Sequence, residues 1–275
     1  MYFGMFKDLR DLNMPNSYDF DLYEGYYSEF YEAVAGRTDY DIPLLLEQAR
    51  QFAGQGKVLE LACGSGRILM HMANRGFQVV GLDLSEDMLK ICHKKQAQLP
   101  ARLRSRIEVR QGDMTNFELG KKFPLIVLSA TSISLLRELD DFKRMLGTVE
   151  RHLEDGGRFI FDYVLSNQSH NSAVRGGRVN GITLNLGPEH KQFVLMGEEE
   201  NLEKQSAVMN FYAEVIQEGE TKRFFGSTFK KFFPEEDLLG AIEQSELRIV
   251  ETHTYDLEGD GNVRCLLLEK GGSHE

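Results

Sequence analysis

The stretch Glu60-Leu61-Ala62-Cys63-Gly64-Ser65-Gly66-Arg67 has the residue types of a ligand-binding turn. It follows the apolar run Val58 to Ala62 and precedes Ile68, Leu69, Met72 and Ala73, which recur at helical spacing. A strand that ends in glycines and opens a helix aims backbone N–H groups and a positive dipole end at a ligand. Dinucleotide loops add a third glycine three residues after the second, where the helix seats against the strand around a pyrophosphate. Here that position is Leu69. A pyrophosphate is therefore disfavoured, while a nucleoside with a smaller anionic group still fits. Glu60, Ala62, Cys63, Gly64, Gly66 and Arg67 are the candidate contacts of this loop.

Two further carboxylates extend the pattern. Asp83 closes the next apolar run, 17 residues after Gly66, where a carboxylate can accept both hydroxyls of a ribose. Ser85 is the better N-cap for the helix that follows, with Glu86 and Asp87 at its positive end, so Asp83 is left for a ligand. Leu84 and Met88 flank it as further candidates. Gly112-Asp113-Met114 ends a third strand, where a carboxylate can take an adenine amino proton and a thioether can pack on the ring. An ordinary turn is the lesser alternative reading of that step. The first 40 residues hold seven of the ten tyrosines. Tyr23, Tyr27, Phe30 and Tyr31 fall at helical spacing, which suits core packing or a lid whose aromatic faces attract a cation.

These residues need an alternating scaffold to hold them. From Lys57 the chain reads as strand and helix in turn, with strands at 58–62, 77–83, 106–111, 124–130 and 158–165. The fourth is continuously apolar and so central. A helix from Asp140 to about Leu153 precedes Gly156-Gly157. Alternating, glycine-punctuated stretches from about Val174 to Phe233 predict a small antiparallel sheet. Pro234 then opens a helix as its first residue, and strands at 247–255 and 263–269 follow. The expected fold is α/β: a doubly wound, Rossmann-like sheet of seven strands. Residues 1–50 form an aromatic helical lid, 51–170 and 234–275 the sheet domain, and 171–233 a β-rich insertion.

Residues 57–130 resemble the class I S-adenosylmethionine-dependent methyltransferases. The family's glycine-rich motif matches Glu60 to Arg67, with Ala62 where the commonest form has glycine. Its ribose acid falls on Asp83 and its adenine-side acid on Asp113, with Met114 beside it. The resemblance implies S-adenosylmethionine as cofactor, with Ser129 at its methionine moiety and the substrate pocket beginning over Ala130 to Leu135. The layout also resembles the small-molecule branch, in which an aromatic N-terminal helix covers the cofactor and a β insertion roofs the acceptor. By that likeness Tyr23, Tyr27, Tyr31, Ser132 and Tyr163 are candidate substrate contacts.

The bulk properties bound the partners. A formal net charge of −11 repels phosphate backbones, and Arg102, Arg104, Arg106 and Arg110 read as a solvated face, so no nucleic acid is expected. Cys63, Cys92 and Cys265 are isolated and odd in number, which suggests neither disulfides nor a zinc site. No metal is expected. No apolar run approaches a membrane span and no leader is visible, so a cytoplasmic protein without membrane contact is the default. Methyl transfer from a sulfonium is an in-line displacement served by positioning and electrostatics. A hydroxyl acceptor would benefit from a base, for which His170 and His190 are candidates, with Tyr163 as a hydrogen-bond partner. The sequence favours a metal-independent transfer to a small-molecule amine or hydroxyl. An enzyme that uses the sulfonium for another reaction, or a non-catalytic binder, would show the same loop.

Overall fold

The computed structural model describes residues 2–35, 39–54, 56–165, 179–187, 190–201, 203–257 and 261–271. The chain opens with helix α1 (Gly4–Asp11), strand β1 (Ser17–Phe20), helix α2 (Gly25–Ala35) and helix α3 (Ile42–Gln48), which runs into a π-helical turn at Ala49–Ala53. The alternating region then follows as β2 (Lys57–Leu61), α4 (Arg67–Asn74), β3 (Gln78–Asp83), α5 (Glu86–Ala97), α6 (Ala101–Arg104), β4 (Ile107–Gln111) and β5 (Phe123–Leu128). A 3-10 turn at Ser132–Leu135 leads to α7 (Leu139–His152) and β6 (Leu153–Val164). Strands β7 (Val179–Gly187), β8 (His190–Asn201), β9 (Ser206–Gln217) and β10 (Glu220–Lys231) come next, then α8 (Glu235–Glu243), β11 (Leu247–Leu257) and β12 (Gly261–Lys270).

Among the described residues, seven strands form the main sheet in the order β11-β12-β6-β5-β2-β3-β4, parallel from β6 to β4, with β12 antiparallel to both its neighbours. The period-2 alternation of each strand sorts side chains between two cores. Leu59, Leu61, Ile126, Leu128, Phe159 and Phe161 face α7 and α8. Val58, Leu125, Val127 and Ile160 face α3, α4 and α5. β5 is buried at every residue, as its unbroken apolar run requires of a strand covered on both faces. Strand order reverses between β2 and β5, and the carboxyl edge at such a switch point is where open α/β sheets bind ligands.

Among the described residues, the second sheet has five strands in the order β1-β10-β9-β8-β7. β7 to β10 pair as an antiparallel meander, while β1 pairs parallel to β10, Ser17 opposite Arg223 and Phe20 opposite Gly226. The N-terminal segment, read as helical from its aromatic spacing, therefore contributes a strand. Four residues of it, Ser17-Tyr18-Asp19-Phe20, are too few to display a period, and pairing with β10 decides their state. The N-terminal aromatics divide between the two faces. Tyr27 and Leu22 pack with Val194, Phe211 and Ala213, and Phe6 packs with Tyr212 and Phe225.

Two helix starts differ in detail from the sequence pattern. Pro234 is the N-cap of α8, with extended backbone, one residue before the position expected for it. Glu138 and Asp141 close a capping box on α7, and Asp141 also pairs with Arg144. Those acids are thereby occupied by the helix terminus. No described helix is long and apolar enough to cross a membrane.

Candidate cofactor and acceptor site

The glycine loop is shaped by contacts beneath it. Ala62, Gly64 and Gly66 all have left-handed backbone, with φ of 51°, 53° and 81°. A Cβ at Gly66 would lie 2.6 Å from the Cys92 sulfur, and one at Gly64 would lie 3.3 Å from the Met88 methyl. The loop thus rests directly on α5, with Gly66 as the N-cap of α4. Leu69 is fully buried, and its Cδ1 occupies space 2.6 Å from where a Cβ of Gly81 would stand. The small residue that lets helix and strand approach is on the strand here. Cys63 is buried, donates its N–H to the Leu82 carbonyl at 3.0 Å, and has its thiol pushed well up by burial. It is a packing residue of the loop.

Asp83 ends β3 facing this loop. Its Oδ2 accepts the Gly64 N–H at 2.7 Å and its Oδ1 accepts the Ser85 N–H at 2.8 Å. Burial raises its pKa, and the N–H donors oppose that rise. Ser85 caps α5 by accepting the Met88 N–H, so the cap is supplied without Asp83. Leu84 follows it as an exposed apolar side chain. Gly112 donates its N–H to the Asp83 carbonyl. Asp113 is exposed, and its Oδ1 accepts both the N–H and the hydroxyl of Thr115 at 2.8 Å. Met114 packs on the α7 side of the sheet.

The N-terminal segment closes over these residues. Tyr23 and Tyr31 meet edge to face at 5.0 Å, both close enough to Asp83 for its charge to oppose their ionisation. Glu32 on α2 accepts from Ser65 of the loop and from Lys95 Nζ at 2.6 Å. Ser85 donates its hydroxyl to the Tyr23 carbonyl at 2.5 Å, and the Gly25 N–H bonds Asp87 at 2.8 Å. Tyr27 is fully buried, and its hydroxyl donates to the Phe224 carbonyl at 2.7 Å. Of the three tyrosines, Tyr23 and Tyr31 therefore stand at the Asp83 end, while Tyr27 joins α2 to the second sheet.

Beyond β5 lies a buried polar network that the sequence motifs do not announce. Asp162 on β6 accepts the Tyr40 hydroxyl at 2.7 Å, the Thr131 N–H at 2.7 Å and the Ser129 hydroxyl at 3.1 Å. Ser129 also reaches Asp41 Oδ2 at 2.6 Å, and Asp41 is held by both terminal nitrogens of Arg67, at 2.7 and 2.5 Å. Burial pushes the Asp162 carboxyl up to about 6. Glu60 is buried nearby, its pKa raised by desolvation and opposed by Arg67. Its Oε2 has no hydrogen-bond partner among the described residues. An acid inside the apolar run Phe159 to Val164 is the signal in the sequence that could have exposed Asp162. Asp41 before Ile42-Pro43 looks like an ordinary helix start.

The remaining candidates are more scattered. Ser132 donates its hydroxyl to the Ser129 carbonyl at 2.7 Å. Tyr163, on the opposite face of β6 from Asp162, donates to Glu235 at 2.7 Å, and Arg264 pairs with the same carboxylate. His170 lies outside the described residues, as does the side chain of His190, whose backbone begins β8.

Comparisons with known proteins fit this geometry. Residues 58–157 match the family described as a methyltransferase domain. The chain is 35% identical over 105 residues to dTDP-3-amino-3,4,6-trideoxy-alpha-D-glucopyranose N,N-dimethyltransferase of Streptomyces venezuelae, covering 38% of this chain and 41% of that protein. It is 30% identical over 142 residues to dTDP-3-amino-3,6-dideoxy-alpha-D-glucopyranose N,N-dimethyltransferase of Streptomyces fradiae, covering 49% and 52%. The chain spans about half the length of the curated relatives it matches. In fold it is similar to an S-adenosylmethionine-dependent methyltransferase from Clostridium acetobutylicum, with a TM-score of 0.69 at 22% identity, covering 90% of this chain and 98% of that one. It is also similar to the sugar N-methyltransferase KedS8 from Streptoalloteichus, with a TM-score of 0.68 at 19% identity, covering 90% and 94%. The residues present suit S-adenosylmethionine: left-handed glycines open the backbone, Asp83 retains acceptor capacity for hydroxyls, and the unpartnered Glu60 Oε2 suits a cation. Residues 58–157 thus match a methyltransferase domain, within a chain whose fold is similar to that of S-adenosylmethionine-dependent methyltransferases.

Proposed function

We propose that this protein transfers a methyl group from S-adenosylmethionine to the amino group of a small molecule, without a metal. The observation that carries the proposal is the gathering of Glu60, Gly64, Asp83 and Ser129 at the carboxyl ends of β2, β3 and β5, beside the switch point. When bound, the cofactor supplies an activated methyl on a sulfonium. Asp83 would hold the ribose hydroxyls, and Leu84 and Met114 would offer apolar surface to the adenine. Tyr23 and Tyr31 would cover the nucleoside and exclude water. Ser129, tied to Asp41 and Asp162, would fix the turn where donor and acceptor meet.

An amine acceptor is supported by the two relatives named as amino-sugar N,N-dimethyltransferases. An amine needs only to arrive neutral and aligned, so positioning suffices for the transfer. The metal-free reading rests on the acids after β5: Glu138 and Asp141 are taken up in the α7 capping box. The test is incubation of the full chain with S-adenosylmethionine and a panel of nucleotide-linked amino sugars, free amines and phenols, read by mass. A gain of 14 or 28 Da (about one or two CH2 units) on an amino sugar supports the proposal. Transfer only to hydroxyls would overturn the amine reading, and a product carrying another part of the cofactor would overturn methyl transfer.

A further inference from the structure

Charge is unevenly distributed around the Ser129 turn. Arg67 pairs with Asp41 and opposes the charge of Glu60, while Asp162 joins them through the Ser129 hydroxyl that also reaches Asp41. Asp162 is 2% exposed and Asp41 is 3% exposed. Glu60 is 5% exposed, and its Oε2 is without a hydrogen-bond partner among the described residues. A buried excess of acid is costly unless a cation faces it. The hydroxyl of Ser129 has one proton and two carboxylate neighbours, Asp41 at 2.6 Å and Asp162 at 3.1 Å. With that proton on the nearer Asp41, the Ser129 oxygen meets Asp162 favourably when Asp162 carries a proton of its own. The turn they support is strained: Ala130 and Thr131 are consecutive non-glycine residues with φ of 57° and 54°, and Asp162 accepts the Thr131 N–H.

Resting on the methyltransferase reading above, we propose that Asp162 is a positioning residue that sets the cation preference of this end of the cofactor site. Ionised, it favours the positively charged sulfur of S-adenosylmethionine over the neutral sulfur of S-adenosylhomocysteine; protonated, it holds the turn without that preference. The charged and titratable groups facing it are Tyr40 and Asp41 before α3, Tyr255 on β11 and Cys265 on β12, with Arg67 on α4 and Glu60 on β2 behind Asp41. Tyr255 and Cys265 are both pushed up from their ordinary values by burial, so neither titrates where Asp162 does. Asp162 itself is pushed up to about 6, chiefly by burial, and Glu60 is raised in the same direction by the same cause.

The experiment is titration calorimetry of the full chain with each of the two nucleosides from pH 5 to about 7 (roughly a unit either side of the Asp162 value). The wild-type affinity ratio, methylated over demethylated nucleoside, is expected to rise by about tenfold across the window. In Asp162→Asn the rise disappears, and any affinity loss common to both ligands cancels in the ratio. Tyr40→Phe removes a hydrogen bond that favours ionised Asp162, and it is expected to move the midpoint of the rise to higher pH. This second variant decides the matter if Asp162→Asn does not fold. A constant wild-type ratio, a rise that survives Asp162→Asn, or a midpoint unmoved by Tyr40→Phe would overturn the proposal. Failure of both nucleosides to bind at any pH would instead overturn the cofactor reading itself, and this inference with it.

Discussion

At the scale of single residues, the loop's constraints can be tested separately from its chemistry. Asp83 accepts two backbone N–H groups and is the acid placed for ribose. Asp83→Asn keeps its size and removes the charge. Loss of a charged hydrogen bond of about 1.5–3 kcal/mol is expected to weaken S-adenosylmethionine binding roughly 10- to 100-fold by calorimetry. Unchanged affinity would remove Asp83 from the site. Gly66→Ala tests the seat of the loop, because its Cβ would stand 2.6 Å from the Cys92 sulfur on left-handed backbone. A loss of about 2–4 kcal/mol in urea unfolding is expected, the sum of overpacking and backbone strain. Adding Cys92→Ala is expected to restore the packing part and leave the strain.

At the scale of elements, α2 is the piece that joins the two sheets' functions. Through β1 it is continuous with the strand paired to β10, and through Glu32 it touches Ser65 and Lys95 beside the glycine loop. These polar contacts are partly exposed, so each is worth little to overall stability. Their effect is on opening. Glu32→Ala is expected to shift the melting temperature by less than about 3 °C while hydrogen exchange in residues 23–32 quickens several-fold. Equal protection in the two proteins would show that Tyr27 and its neighbours hold α2 closed without Glu32.

At the scale of the whole molecule, the buried acids bear on stability against pH. The folded-state value of Asp162 is raised from 3.8 to about 6, chiefly by burial, and Glu60 is raised in the same direction by the same cause. A carboxyl raised on folding binds its proton more tightly in the native state. Its contribution is complete below pH 4 and is lost as pH climbs through 6. Stability of Asp162→Asn relative to wild type is therefore expected to improve by about 2 kcal/mol between pH 4 and 7, measured by urea unfolding. A difference constant with pH would mean that Asp162 is ionised throughout.

How much of this was legible in the chain follows from what makes each feature local. The glycine loop, Asp83, the Ser85 cap and the seven strands of the main sheet are written in turn residues and hydrophobic period, each read within about ten residues. Leu69 reads in the sequence as an argument against a pyrophosphate seat, and only the packed structure shows Gly81 giving way beneath it. The role of β1 depended on a partner some two hundred residues away, which no local period encodes. Tyr27 reads the same as Tyr23 and Tyr31 in the sequence, and only packing separates the one that serves the second sheet from the two at Asp83. By itself, then, the sequence determined the cofactor loop and the order of the main elements, because period and turn chemistry are local. The tertiary structure decided the Asp41–Ser129–Asp162 network, because carboxyls from distant segments acquire their meaning only when burial brings them to one proton.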